Sequence, residues 1–219
     1  MNHSAPSSRP RGRPRGFDRD AALEKALHLF WSRGFEATSI SDLTSAMRIT
    51  PPALYSAYGD KKRLFLEAVD RYERDAGCFA QKALTEEPTA EDAMRSLLHG
   101  AVNSFTKPGA PRGCLVVLGA TNCAAESNDI YLALAERRAT AERAVRARIH
   151  AGQMAGELAD GADVDALAGM VTATIYGLAV KAKDGVPRAQ LHKIVSQMMQ
   201  AWPRRGNKSL RRAVQKKPR

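Results

Sequence analysis

The residues of this sequence that could do chemistry are mostly cations and hydroxyls. Arg9, Arg11, Arg13 and Arg15 are interleaved with Pro and Gly near the start, and Thr38, Ser39, Thr50, Tyr55, Ser56 and Lys61 follow within a short stretch. Guanidinium, ammonium and hydroxyl groups at that density suit phosphate oxygens, which carry charge and accept hydrogen bonds. Catalysis has no comparable footing. His3, His28, His99, His150 and His192 are scattered, and no nucleophile, base and orienter or set of metal ligands falls at a recognised spacing, so no enzyme, cofactor or metal is expected. Cys78, Cys114 and Cys123 are odd in number with no C-x-x-C pair, which argues against a disulfide framework or structural zinc and for a reducing compartment, the cytoplasm.

Charge is distributed unevenly. The 219 residues carry a formal +11, yet twelve of the 34 basic residues lie in 1–16 and 203–219, which contain no acid. The remaining stretch, 17–202, balances 22 basic against 23 acidic residues. Two cationic arms on a near-neutral body point to a polyanionic partner, and without an apolar period the arms are expected to stay flexible until they meet phosphate. The start has no apolar core to act as a signal peptide, and the strongly apolar stretches fall short of the ~20 residues of a membrane span. With 44% hydrophobic residues, the body can bury a sizeable core.

Four helices are legible between Phe17 and Tyr72. In FDRDAALEKALHLFWSRGF, Leu23, Ala26, Leu27 and Phe30 line one face, with Asp18 as N-cap and Gly34 as stop. Ser39-Ile-Ser-Asp42 reads as a capping box with Asp in place of Glu, opening a helix of about two turns. Thr50 caps a third helix whose first positions are Pro51 and Pro52, where a missing N–H loses no intrahelical bond. Asp60 caps a longer fourth helix carrying Leu64, Phe65, Ala68 and Tyr72. Two short helices separated by Arg48, Ile49 and Thr50 form a helix-turn-helix arrangement.

The run Gly34-Phe-Glu-Ala-Thr-Ser-Ile-Ser-Asp-Leu, with Leu54-Tyr55, Tyr58, Lys61 and Leu64-Phe65 at their offsets, resembles the DNA-binding domain of TetR/AcrR-family transcriptional repressors over residues 17–72. Arg48 departs from it, standing where the family usually has a turn glycine. The resemblance implies that Tyr55 and Lys61 contact DNA phosphates. Pro51, Pro52 and Ala53 offer no donor or acceptor and can read only thymine methyls or groove shape. Hydrogen-bonded readout then falls to Thr38, Ser39, Thr50, Tyr55 and Ser56. Arg11-Gly12-Arg13-Pro14 resembles an AT-hook core, which places Arg11 and Arg13 in an A·T-rich minor groove.

From 73 to 202, apolar spacing predicts helices near 90–106, 112–125, 127–156, 163–183 and 187–202, an all-α chain of about nine helices. CLVVLGA, 114–120, reads as buried helix because no partner strand is evident. Helix 163–183 is apolar on two faces, and Gly169, Ala173 and Gly177 allow close approach of another helix. With Leu191, Val195, Met198 and Trp202 they are expected to form a homodimer interface, as in the family, so that two heads meet a palindromic operator on double-stranded DNA. The family also implies a small-molecule effector in the C-terminal domain, here with Phe105, Cys114, Leu118, Thr121, Asn122, Met170 and Tyr176 as its pocket. Cys114 sits near a helix start that favours a thiolate, so it and Cys123 also read as a sensor of redox state or a soft metal. The resulting expectation is a ligand-responsive repressor. The alternative is a sequence-nonspecific architectural DNA binder that works through its basic arms.

Overall fold

The computed structural model describes residues 17–205. The arm residues Arg11 and Arg13, and most of the C-terminal tail, lie outside them. The described residues form ten α-helices: α1 Arg19–Arg33, α2 Ile40–Met47, α3 Pro51–Tyr58, α4 Lys61–Asp75, α5 Cys78–Glu86, α6 Ala90–Phe105, α7 Leu115–Leu118, α8 Asn128–Met154, α9 Val164–Lys183 and α10 Arg188–Gln200. A 3-10 turn, Ala125–Ser127, precedes α8. Among the described residues the only β pairing is an isolated bridge between Leu158 and Arg204.

The caps explain where the helices begin. The Asp18 carboxylate accepts from the N–H groups of Asp20 and Ala21, and Ser39 and Asp42 close the capping box reciprocally. The Thr50 hydroxyl accepts from the N–H of Ala53 ahead of the two prolines, and Asp60 accepts from the N–H of Arg63. Each supplies an acceptor to an N–H that has no partner within its helix. Gly34 ends α1 at φ 81°, a conformation that costs an L side chain but not glycine.

Two parts of the C-terminal half differ from the pattern predicted above. Helix 112–125 shrinks to the single turn of α7, because Gly119 stops it and 119–124 runs on without helix. Helix α5, CFAQKALTE, is absent from that pattern although it is amphipathic, and it forms against α6. The 20 residues of α9 are, by length and composition alone, enough to cross a membrane, contrary to the expectation from apolar runs. In this fold α9 is packed among α6, α7, α8 and α10.

The segment that carries α7 makes one of the contacts between the head, α1 to α4, and the rest. The Trp31 indole N–H donates to the carbonyl of Gly113 at 3.0 Å, and the Phe35 N–H donates to the carbonyl of Gly119 at 2.7 Å. Around these bonds Phe30, Phe35 and Phe65 pack with edge contacts at 5.0 and 5.1 Å, and Trp31 meets Tyr72 at 4.8 Å. Phe65 is fully buried. Truncation to Ala there removes apolar burial and leaves a cavity; Phe65→Ala is expected to cost about 3–5 kcal/mol, read as a lower urea midpoint.

Candidate nucleic-acid interface and ligand cavity

The first turn of α3 stands in solvent. Pro51, Pro52, Tyr55 and Ser56 are exposed and Ala53 is half-buried, while Leu54 and Tyr58 anchor the helix from beneath. Thr50 and Ser39 are exposed at the starts of α3 and α2. The Ser39 hydroxyl accepts from the Asp42 N–H and donates to its carboxylate at 2.6 Å. That bond from the Ser39 side chain is the main reason the Asp42 carboxyl lies below the usual range.

Two residues expected to face DNA are placed otherwise. Thr38 is fully buried and its hydroxyl donates to the Gly34 carbonyl at 2.7 Å. Its position just ahead of α2 is therefore structural, since the α1–α2 corner folds over it. Lys61 is half-buried, with its ammonium 4.2 Å from the centre of the Phe35 ring. Burial lowers its pKa, and Glu36 opposes that shift. This is a cation held on an aromatic face, not a fully solvated one.

Behind the head lies a cavity of roughly 690 Å³ with mostly apolar walls. α4 contributes Tyr72 and Glu73, α5 Phe79 and Leu84, α8 Arg137 and Arg138, and α9 Ile175 and Tyr176. Of the expected pocket residues, Phe105, Cys114 and Tyr176 line it; Leu118, Thr121, Asn122 and Met170 do not. The reason is the early end of α7, which leaves Thr121 and Asn122 exposed in the following segment. Periodicity alone does not mark α5 and α8 as walls. The signal on α8 is a row of alanines and arginines, Arg137, Ala141, Ala144 and Arg148, at helical spacing.

Arg137 joins the cavity to the head by pairing with Asp70 at 2.5 Å and with Glu73, both on α4. Burial pushes the Cys114 thiol's pKa up, in the direction opposite to the expected thiolate, while the hydrogen bond with the Tyr72 side chain lowers it. Burial likewise raises Cys123, which is half-buried. No group of three or more potential metal ligands occurs among the described residues.

The expected interface helices divide. Along α9, Gly169, Ala173 and Gly177 face outward, and a Cβ added at either glycine would meet nothing within 4 Å. Val180 on the same helix is exposed. On α10, however, Leu191 and Val195 are buried inside their own chain and Met198 is half-buried, and Trp202, just past the helix, is buried as well. That stripe faces α6 and α9, so it is core. Near the end of the described residues, Arg204 pairs with Glu91 at 2.6 Å, which ties the first residues assigned to the basic tail to α6.

Known proteins resemble this chain in sequence and fold. The model of bacterial regulatory proteins of the tetR family matches residues 22–68, and that of the tetracyclin repressor-like C-terminal domain matches 90–184. The HTH-type transcriptional repressor ComR of Escherichia coli (strain K12) is 35% identical over 89% of this chain and 93% of its own. A cysteine mutant of the TetR family regulator CifR, complexed with 26 bp double-strand operator DNA, superposes with a TM-score of 0.84 at 42% identity. That match covers 87% of this chain and 100% of CifR. A TetR-family regulator from Agrobacterium tumefaciens shares the fold at a TM-score of 0.73 and 17% identity, over 84% of this chain and 96% of its own.

The capping box that starts α2 can be tested directly. Ser39→Ala is expected to cost about 1 kcal/mol of stability in denaturant titration. It should also let the Asp42 pKa rise toward the ordinary carboxylate range, read by NMR titration. The stability that follows from a lowered carboxyl pKa is present above the unfolded value and lost as pH falls through the folded one. This acid-side loss should therefore shrink in the variant.

Proposed function

The chain belongs to the tetR family of bacterial regulatory proteins, and from that premise we propose that it is a ligand-responsive repressor that binds a palindromic operator as a homodimer. The observation that carries this reading is the exposed first turn of α3, set on a head whose α4 also walls the cavity. The head then meets DNA through α3 and the effector through α4.

In this reading Pro51, Pro52 and Ala53 meet thymine methyls and the groove wall, while Ser39, Thr50, Tyr55 and Ser56 supply hydrogen bonds to bases or phosphates. Arg11 and Arg13 enter the adjacent minor groove. The outer stripe of α9 forms the two-fold contact through Gly169, Ala173 and Gly177, with Met198 of α10 beside it, so that helix axes approach closely. CifR is bound to a 26 bp operator, and half-sites about one helical turn apart, or multiples of that, fit within such a length. An effector in the cavity meets Arg137, whose partners on α4 fix the head. A ligand that prefers one head position shifts the population toward it. The chain works as a cytoplasmic regulator and not as an enzyme.

Selection of bound duplexes from a random pool tests this. The protein should recover a palindrome and prefer it to scrambled DNA by at least ~10³ at fixed salt. A preference near unity would favour the architectural reading. Deleting residues 1–16 should weaken binding and flatten the salt slope by roughly 0.9 for each phosphate no longer neutralised.

A further inference from the structure

A surface that docks on DNA needs cations, and several on this head are already engaged. Arg19 is paired with Glu67 at 2.5 Å, Arg33 with Asp42 at 3.1 Å and Lys62 with Asp129 at 2.7 Å. Lys61 is held over Phe35. Between Gly34 and Asp60, the stretch that contains both helices of the reading motif, the sequence has one basic residue against Glu36, Asp42 and Asp60. That residue is Arg48.

Arg48 also sits where an arginine is costly. It ends α2 in the left-handed region at φ 59°, ψ 46°, and is the one non-glycine residue with positive φ among those described. Its backbone N–H closes the turn onto the carbonyls of Ser45 and Thr44, which any residue could do. Glycine would adopt this conformation without the clash that a Cβ brings. Its side chain repays nothing inside the protein: it is exposed and makes no hydrogen bond or ion pair among the described residues. It stands two residues before Thr50, the cap of α3, beside the exposed turn.

We propose that Arg48 is a DNA-phosphate contact, its guanidinium gripping the backbone that flanks the groove entered by α3. The assignment rests on the operator-binding reading above. A planar fork of donors suits the oxygens of a phosphate, and a contact of this kind fixes register without reading sequence.

The experiment uses the full chain as wild type, Arg48→Gly, Arg48→Asn, Arg48→Lys and, as a control on α5, Lys82→Ala. Two duplexes of equal length serve as probes, one selected from a random pool by the wild type and one scrambled, titrated between about 50 and 200 mM salt beside thermal melts. Arg48→Gly should melt roughly 2–4 °C higher, because the strained turn is relieved. It should nevertheless bind both duplexes roughly tenfold more weakly, with a salt slope lower by roughly 0.9 per protomer. Arg48→Asn, which tolerates the turn, should lose the same slope, and Arg48→Lys should keep most of it. Lys82→Ala should match the wild type.

Opposite signs for stability and binding are what a merely structural arginine cannot give. Unchanged or tighter binding by Arg48→Gly and Arg48→Asn, with an unchanged slope, would overturn the proposal. So would a weakening confined to the selected duplex, which marks a base contact. A wild type without preference between the duplexes would instead sink the operator reading, and the slope on scrambled DNA would still decide the role of Arg48.

Discussion

Two hydrogen bonds to backbone carbonyls fix the head of this protein. The Trp31 indole reaches Gly113 and the Phe35 amide reaches Gly119, at the two ends of the segment that carries α7. Both bonds lie beside the packed rings of Phe30, Phe35, Phe65 and Tyr72, where an unpaired polar group would be expensive. The buried side chains form one continuous cluster through the head and the C-terminal half, so the four-helix head is not a separate ball on a string. Any shift in α7 is felt at the α1–α2 corner, and that corner sets where α2 begins.

The same segment walls the cavity through Cys114, Val116 and Val117. A bound molecule would press on one end of a connector whose other end is bonded to the head. Arg137 makes a second connection, from α8 to Asp70 and Glu73 on α4. Both routes pass through groups already paired with one another, so an effector must compete with existing bonds or move them together. The rigidity that holds the reading helix and the means of releasing it therefore share the same atoms.

Local rules are legible in the sequence wherever a cap and a stop stand close together. Asp18 with Gly34, Ser39 with Asp42, and Thr50 ahead of two prolines each specify a boundary through groups a few residues apart, and α1 to α4 follow from them. Features set by distant partners are not legible. α5 is nine residues long, too short for its amphipathic pattern to stand alone, and it packs against α6. The apolar stripe of α10 resembles an interface because spacing tells that a face is buried, not against which neighbour. Thr38 reads as a hydroxyl available for DNA, since a buried hydroxyl satisfied by a carbonyl four residues earlier looks the same in sequence as an exposed one. Leu118, Thr121, Asn122 and Met170 fall outside the cavity, Thr121 and Asn122 because α7 ends after one turn at Gly119. Arg48 is visible as a departure from the family pattern, but its left-handed backbone and lack of partners required coordinates.

The paired prolines that open α3 carry an evolutionary consequence. If α3 enters the groove as proposed, a tip built from ring carbons rewards a fitting groove in small increments spread over several steps, where a single bidentate side chain would concentrate the reward on one base. Promoters governed by such a tip should drift in strength gradually as their letters change. Regulation could then be graded across a set of genes by modest divergence among their control regions, with no change to the protein itself.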